Sequence, residues 1–301
     1  MVKTNYLALD IGGTKILGAI VQDKKIIDRE KVKTKASKDQ NEVYSRIKAV
    51  VSTLIERNDN IEGIGIGIPG RVNAKGEITF SPNLPFENFP LKQKLQDDFG
   101  IKNIAIDNDV NVGMLGEQWI GAAAKYKNAI GIFVGTGIGG AIIINDKLIT
   151  GNQNIAGEIG HMKLSFDGPK CNCGEKGCLE AYASKIAIQK YLESKGEKFD
   201  SILKSSYLKN GIADNNKLIK EAVSKAAEYL GEAIGNLINC LDPDVIVLGG
   251  GVPEAIGDYL LKKMSGVIKE RALAKPNIKL SALGDDAGLF GAVKLLLSDN
   301  K

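Results

Sequence analysis

The only histidine of the chain, His161, and three of its four cysteines, Cys171, Cys173 and Cys178, fall within one stretch, GEIGHMKLSFDGPKCNCGEKGCLE, residues 157–180. One imidazole nitrogen and three thiolates form the tetrahedral donor set of a closed structural zinc site. Cys171 and Cys173 stand too close in sequence for an easy disulfide, and the cysteine usage suits a reducing compartment. A closed site leaves no open coordination position, so this Zn²⁺ is expected to shape a loop and not to activate water. Glu158, three residues before the first ligand, and Glu180, two after the last, would then be brought to one wall. Loss of the metal is expected to remove binding at that wall and to spare nucleotide binding elsewhere.

A second chemistry is written in glycine. LALDIGGTKILGAIVQDKKI from Leu7 aligns without gaps with IGIFVGTGIGGAIIINDKLI from Ile130. Gly12 falls on Gly135, Ile20 on Ile143, and Asp23-Lys24 on Asp146-Lys147. Apolar runs around small-residue turns read as antiparallel hairpins, and their repetition implies two lobes with related cores. Glycine turns can aim several backbone N–H groups at one anion, with Thr14, Lys15 and Thr136 as side-chain donors. Neither turn has the Walker spacing or leads directly into a helix as a dinucleotide fingerprint does. A third cluster, Gly249, Gly250 and Gly251, follows an apolar strand and offers a surface free of side chains to a base or ribose, completing a nucleotide cleft.

Carboxylates stand at the strand ends. Asp10 directly precedes the first glycine turn, where an acid beside phosphates calls for a cation such as Mg²⁺. The strand IAI runs into Asp107, Asn108, Asp109 and Asn111 and then a helical pattern. One of these caps the helix; the excess suggests hydrogen bonds to a substrate and one carboxylate that accepts a proton from a hydroxyl.

These segments must be carried by a chain of 301 residues with 44% hydrophobic and 25% charged side chains, enough for two lobes. The charge of +4 is spread without basic blocks, so no nucleic-acid or membrane partner is expected. No run of about 18 apolar residues and no leader pattern is present, and a cytoplasmic location is expected.

LALDIGGTKILGAIV, GIGIPGRV, SPNLPF, DNDVN, GTGIGGAIIINDKLITG, GEIGH and CNCGEKGCLE together resemble the ROK family (repressors, open reading frames and kinases) of sugar kinases, within the actin-like ATPase superfamily. The resemblance runs from about residue 5 to about 295. It implies an α/β fold, two-lobed and actin-like (ribonuclease H-like), with a duplicated core and a structural zinc loop. The small lobe is expected at 1–118 plus 289–301 and the large lobe, with the zinc loop, at 119–288, closing about a hinge.

ATP is expected between the lobes. Gly12, Gly13, Thr14 and Lys15 would lie on one side of the phosphates, Thr136 and Gly137 on the other, and the loop of Gly249, Gly250 and Gly251 near the adenosine. The resemblance makes Asp109 the catalytic base and places sugar contacts at Asn83, Asn108, Asp109, Glu158, His161 and Glu180, with Gly70 shaping the wall. It implies phosphorylation of a hexose at the 6-hydroxyl, glucose foremost, with N-acetylmannosamine, N-acetylglucosamine and fructose as alternatives. A sugar-sensing regulator is the rival class; family repressors add an N-terminal helix-turn-helix, whereas here the first phosphate motif begins at Asp10. Apolar helical surface after residue 180 suits a homodimer.

Overall fold

Two sharp turns in an apolar, alternating sequence start the chain as a meander of β1 (Asn5–Ile11), β2 (Lys15–Gln22) and β3 (Lys25–Lys33). The computed structural model describes residues 4–34, 39–275 and 277–299. Strand β2 is buried along almost its whole length, whereas β3, rich in lysine and alternately exposed, forms the sheet edge. Helix α1 (Gln40–Arg57) is capped by Asp39, whose carboxylate accepts from the Asn41 amide. It buries Val43, Ile47, Val50, Val51 and Leu54, the stripe expected of an amphipathic helix. There follow β4 (Ile61–Ile68), β5 (Arg71–Val72), β6 (Ile78–Phe80), β7 (Glu87–Phe89), α2 (Leu91–Phe99), β8 (Ile104–Asn108) and α3 (Asp109–Trp119). Strands β1, β4 and β8 run parallel, giving the sheet order β3-β2-β1-β4-β8, and β5-β6-β7 form a small antiparallel sheet.

The pattern then repeats. Strands β9 (Ala129–Val134), β10 (Ile138–Ile144) and β11 (Lys147–Leu148) form a second meander. After the cysteine-rich loop come α4 (Leu179–Ala183), α5 (Lys185–Ser194), α6 (Ser205–Ala213), α7 (Lys217–Leu241), β12 (Val245–Gly249), α8 (Gly251–Arg271) and β13 (Asn277–Leu280). The second sheet has the order β11-β10-β9-β12-β13, with β12 parallel to both neighbours. Position for position this is the topology of the first sheet, so the core is duplicated. Helix α7 contributes Ile219, Val223, Leu230, Ile234 and Ile238 to the apolar core of this unit.

The repeat carries one difference that a gap-free alignment hides. Ile11 pairs with Ile16, leaving four turn residues, whereas Val134 pairs with Ile138, leaving three. The second turn is one residue tighter. Accordingly Asp23-Lys24, both at positive φ, correspond in structure to Asn145-Asp146, also both at positive φ, and not to Asp146-Lys147. Two consecutive positive φ values are the requirement of the tight turn that joins twisted antiparallel strands.

The chain divides into two compact units, one of Met1–Lys125, Thr150–Ala156 and Asp285–Lys301, the other of Tyr126–Ile149 and Gly157–Gly284. Helix α9 (Ala287–Asp299) belongs to the first and packs on α3, β1 and β4. The α3 and α9 backbones meet at glycine: a methyl group on Gly291 would stand 1.6 Å from the Val112 carbonyl oxygen. Overpacking against backbone cannot be relieved by a rotamer change, so Gly291→Ala should cost about 3 kcal/mol, read as a lower urea midpoint at unchanged m-value. No helix among the described residues is long and apolar enough to cross a membrane.

Candidate active site and metal centre

Sheet register gathers the acids of the first unit. Asp10 of β1 pairs with Gly67 of β4, and Gly67 with Asp107 of β8, so two carboxylates flank one glycine at the carboxyl ends of parallel strands. The missing Gly67 side chain admits α3: a methyl group there would lie 3.6 Å from the Asp109 Cα. Burial, and next the Asp109 carboxylate, push the Asp10 carboxyl up to about 6, with Lys15 acting in the opposite direction. A raised acid pKa favours the folded state at low pH and penalises it once the group ionises. In metal-free buffer Asp10→Asn should therefore raise the unfolding free energy at pH 7.5 by roughly 1–3 kcal/mol. The gain should shrink as pH falls through 6 and vanish below about 4, the ordinary carboxylate range; calorimetry against pH checks it.

The turn after β1 is built from backbone. The Gly12 amide donates to the Lys15 carbonyl at 2.8 Å, and the Thr34 hydroxyl donates to the Gly12 carbonyl at 2.6 Å. Among the described residues nothing accepts from the amides of Gly13 and Thr14. Asn83 is exposed and lies against Gly13, its Cβ 3.3 Å from the place a Gly13 side chain would take. Lys15 Nζ sits 2.5 Å from Asp285 Oδ2, and Arg29 makes a two-pronged pair with Asp286 at 2.7 and 2.8 Å. Asp285 and Asp286, just ahead of α9, escaped the reading of the sequence. A double acid opening an apolar helix was the available signal.

The polar run at residues 107–111 divides its duties. Asn108 caps α3, its side-chain oxygen accepting from the Val110 and Asn111 amides, while its Nδ2 donates to the Gly70 carbonyl at 3.1 Å. Asp107 Oδ1 accepts from the Asn108 amide and from Asn111 Nδ2. Much of the excess polarity thus braces the entry to the helix. Asp109 stands on the first helical turn, its Oδ1 accepting from the Val110 amide at 3.0 Å.

The second unit sets its glycine loops side by side. The Gly135 amide donates to the Gly137 carbonyl, the Lys185 amide donates to the Gly135 carbonyl, and nothing described accepts from the amides of Thr136 and Gly137. Gly249 pairs with Phe133 of β9. Gly250, at φ +86°, passes so close to β9 that a side chain would meet the Val134 carbonyl at 2.8 Å. Gly251 begins α8 against Ser205.

His161, Cys171, Cys173 and Cys178 converge, their ligand atoms all within 4.8 Å of one another. Zn–S bonds of about 2.3 Å at tetrahedral angles set sulfurs about 3.8 Å apart. Cys173 and Cys178 sulfurs are 3.7 Å apart, and Cys171 Sγ is 3.8 Å from His161 Nδ1, so the donor set fits a zinc ion. Burial pushes the Cys171 thiol up to about 12, so a nearby cation is what would hold it as thiolate. His161 turns its other nitrogen, Nε2, toward Glu158, 3.9 Å from Oε2. Glu180 stands on the first turn of α4; its Oε2 accepts from the Ile138 amide at 2.9 Å.

A family model for the ROK family matches residues 6–299, and the chain belongs to that family. It is 30% identical to a glucokinase of Thermotoga maritima over 98% of both chains. It is 29% identical to a putative xylose repressor of a Caldicellulosiruptor species, covering 98% of this chain and 76% of the repressor. Its fold superposes with a TM-score of 0.83 on a ROK family glucokinase from Streptomyces griseus in complex with glucose and AMPPNP, at 28% identity over 97% and 98% of the two chains.

Proposed function

We propose that this protein is an ATP-dependent sugar kinase that phosphorylates a hexose at the 6-hydroxyl, with glucose as its substrate. The observation that carries this reading is the placement of Asp109 on the first turn of α3 beside Asp10, at the strand ends that also carry the first glycine turn. Phosphoryl transfer needs positioning and neutralised charge more than covalent chemistry. Each unit has a glycine turn with two amides that find no acceptor among the described residues, at Gly13 and Thr14 and at Thr136 and Gly137, which suits phosphate oxygens. In this reading Lys15 adds a cation to the first turn, and Gly249, Gly250 and Gly251 face the adenosine.

Asp109 takes the proton of the attacking hydroxyl, and Asn83, Asn108, Glu158, His161 and Glu180 hold the sugar in register. Asp10, crowded by Asp109, suits a Mg²⁺ ion, which neutralises phosphate charge when bound. A zinc ion on His161 and the three cysteines supplies shape and no step of the reaction.

The test is ADP release with glucose, fructose, N-acetylmannosamine and N-acetylglucosamine, with Asp109→Asn as the control. Turnover with an N-acetylhexosamine alone would move the substrate within the same class. The similarity to a repressor supports a second reading, a sugar-responsive regulator; sugar binding without ADP release from any member of the panel would establish it.

A further inference from the structure

The metal loop and the second glycine turn are joined at one residue, Ile138, the first of β10. Its amide donates to Glu180 Oε2 at 2.9 Å. Its carbonyl oxygen lies against Gly160 in the short 3-10 helix Ile159–His161, where a methyl group would stand 2.1 Å from that oxygen. Both sides of Ile138 therefore rest on the segment that bears the candidate zinc ligands. Gly137, one residue earlier, makes the room: a side chain there would approach Glu180 Oε2 to 2.3 Å. The same segment holds the other leg, because the Lys185 amide, just after α4, donates to the Gly135 carbonyl at 3.0 Å. Glu180 in turn is anchored beside the metal cluster. It follows Cys178 by two residues, its Oε1 lies 3.6 Å from Cys171 Sγ, and the intervening Leu179 amide donates to the Met162 carbonyl at 2.9 Å.

We infer that Glu180 is a positioning residue for the nucleotide: it holds the turn at residues 135–137 in the shape that presents the Thr136 and Gly137 amides to phosphate, and it makes that shape depend on the metal loop. This rests on the proposed nucleotide site. A carboxylate bond to a backbone N–H is stronger than a neutral one, and it fixes the amide directly after the two that would meet the phosphate. The coupling is reciprocal, so a sugar that engages Glu180 tightens nucleotide binding by the same factor that nucleotide tightens sugar binding. Loss of the metal then reaches nucleotide binding as well, against the expectation drawn from the sequence.

The experiment measures ADP binding without sugar by calorimetry and amide exchange at Ile138 by NMR, in the wild type, Glu180→Ala, Glu180→Gln and wild type stripped of metal by chelator. Glu180→Ala and the stripped protein should bind ADP at least about tenfold more weakly and exchange Ile138 faster. Glu180→Gln keeps an acceptor for the Ile138 amide and should stay within about threefold of wild type, a rescue that a loss of fold would not give. Unchanged ADP affinity and unchanged Ile138 exchange in the stripped protein would overturn the inference, even if the alanine variant were unstable. If the wild type fails to bind ADP, the proposed function fails instead, and Ile138 exchange still decides whether the metal loop holds the turn.

Discussion

With Asp109 as the proposed base, Asp109→Asn should lower kcat for sugar phosphorylation by about 10²–10⁴-fold, the usual contribution of a positioned general base. The substitution is close to silent structurally. Asn108, not Asp109, caps α3, and an asparagine at 109 keeps an oxygen for the Val110 amide. What disappears is proton acceptance, together with one of the charges that raise the Asp10 carboxyl. Two further readouts follow. The KM for sugar should change little beside kcat, since hydrogen bonding at 109 survives. The acidic limb of the kcat/KM profile should shift or flatten once the carboxylate at 109 is gone. Full turnover by the variant would remove Asp109 from the role of base.

If the cluster holds zinc as proposed, Cys173→Ser should abolish stoichiometric zinc and lower sugar affinity by more than about 100-fold. Loss of an outer partner of a metal ligand costs roughly 10–100-fold, and loss of a ligand should exceed it. Among the described residues the loop is held by two isolated bridges, Lys163 with Cys178 and Lys170 with Lys176, a turn bond from the Gly174 amide to the Cys171 carbonyl and an exposed Lys163–Glu175 ion pair. A zinc ion on the four candidate ligands would tie residues 161–178 at four points, and its binding energy would be folding energy for that segment. Metal content by mass spectrometry and glucose binding by calorimetry test both halves. Cys240→Ser, on the exposed side of α7, should keep its zinc and its sugar affinity. Retention of sugar affinity in a metal-free Cys173→Ser protein would show that the metal does not shape the sugar wall.

The sequence discloses those features whose residue types are rare or periodic. One histidine and three cysteines in a short stretch, and glycine turns between apolar runs, need no neighbours to be recognised, and both stand where they were expected. The one-residue slip between the hairpins was hidden because Ile142, Ile143 and Ile144 form a uniform apolar run, in which a shift by one leaves the pattern intact. Pairings through the backbone left no trace either. Ile138 is bound to Glu180 through an amide that every residue other than proline possesses, so nothing in its identity marks it. The Lys15 and Asp285 pair spans most of the chain, and opposite charges at such separation are too common to single one out. The bonds by which Asn108, Asp107 and Asn111 brace the entry to α3 are likewise invisible in the sequence, because any of the four polar residues could have been the cap.

Helix α9 gives the molecule a schedule. It completes the first unit, packing on α3 with Gly288 against the Asp10 carboxylate, yet it is encoded beyond the whole of the second unit. In the order of synthesis β1 and α3 precede the whole second unit, and α9, which covers them, follows it. Until α9 is made, Asp10 lacks its contact with Gly288 and Lys15 its partner Asp285, so this end of the first unit cannot be completed before the second unit has been synthesised.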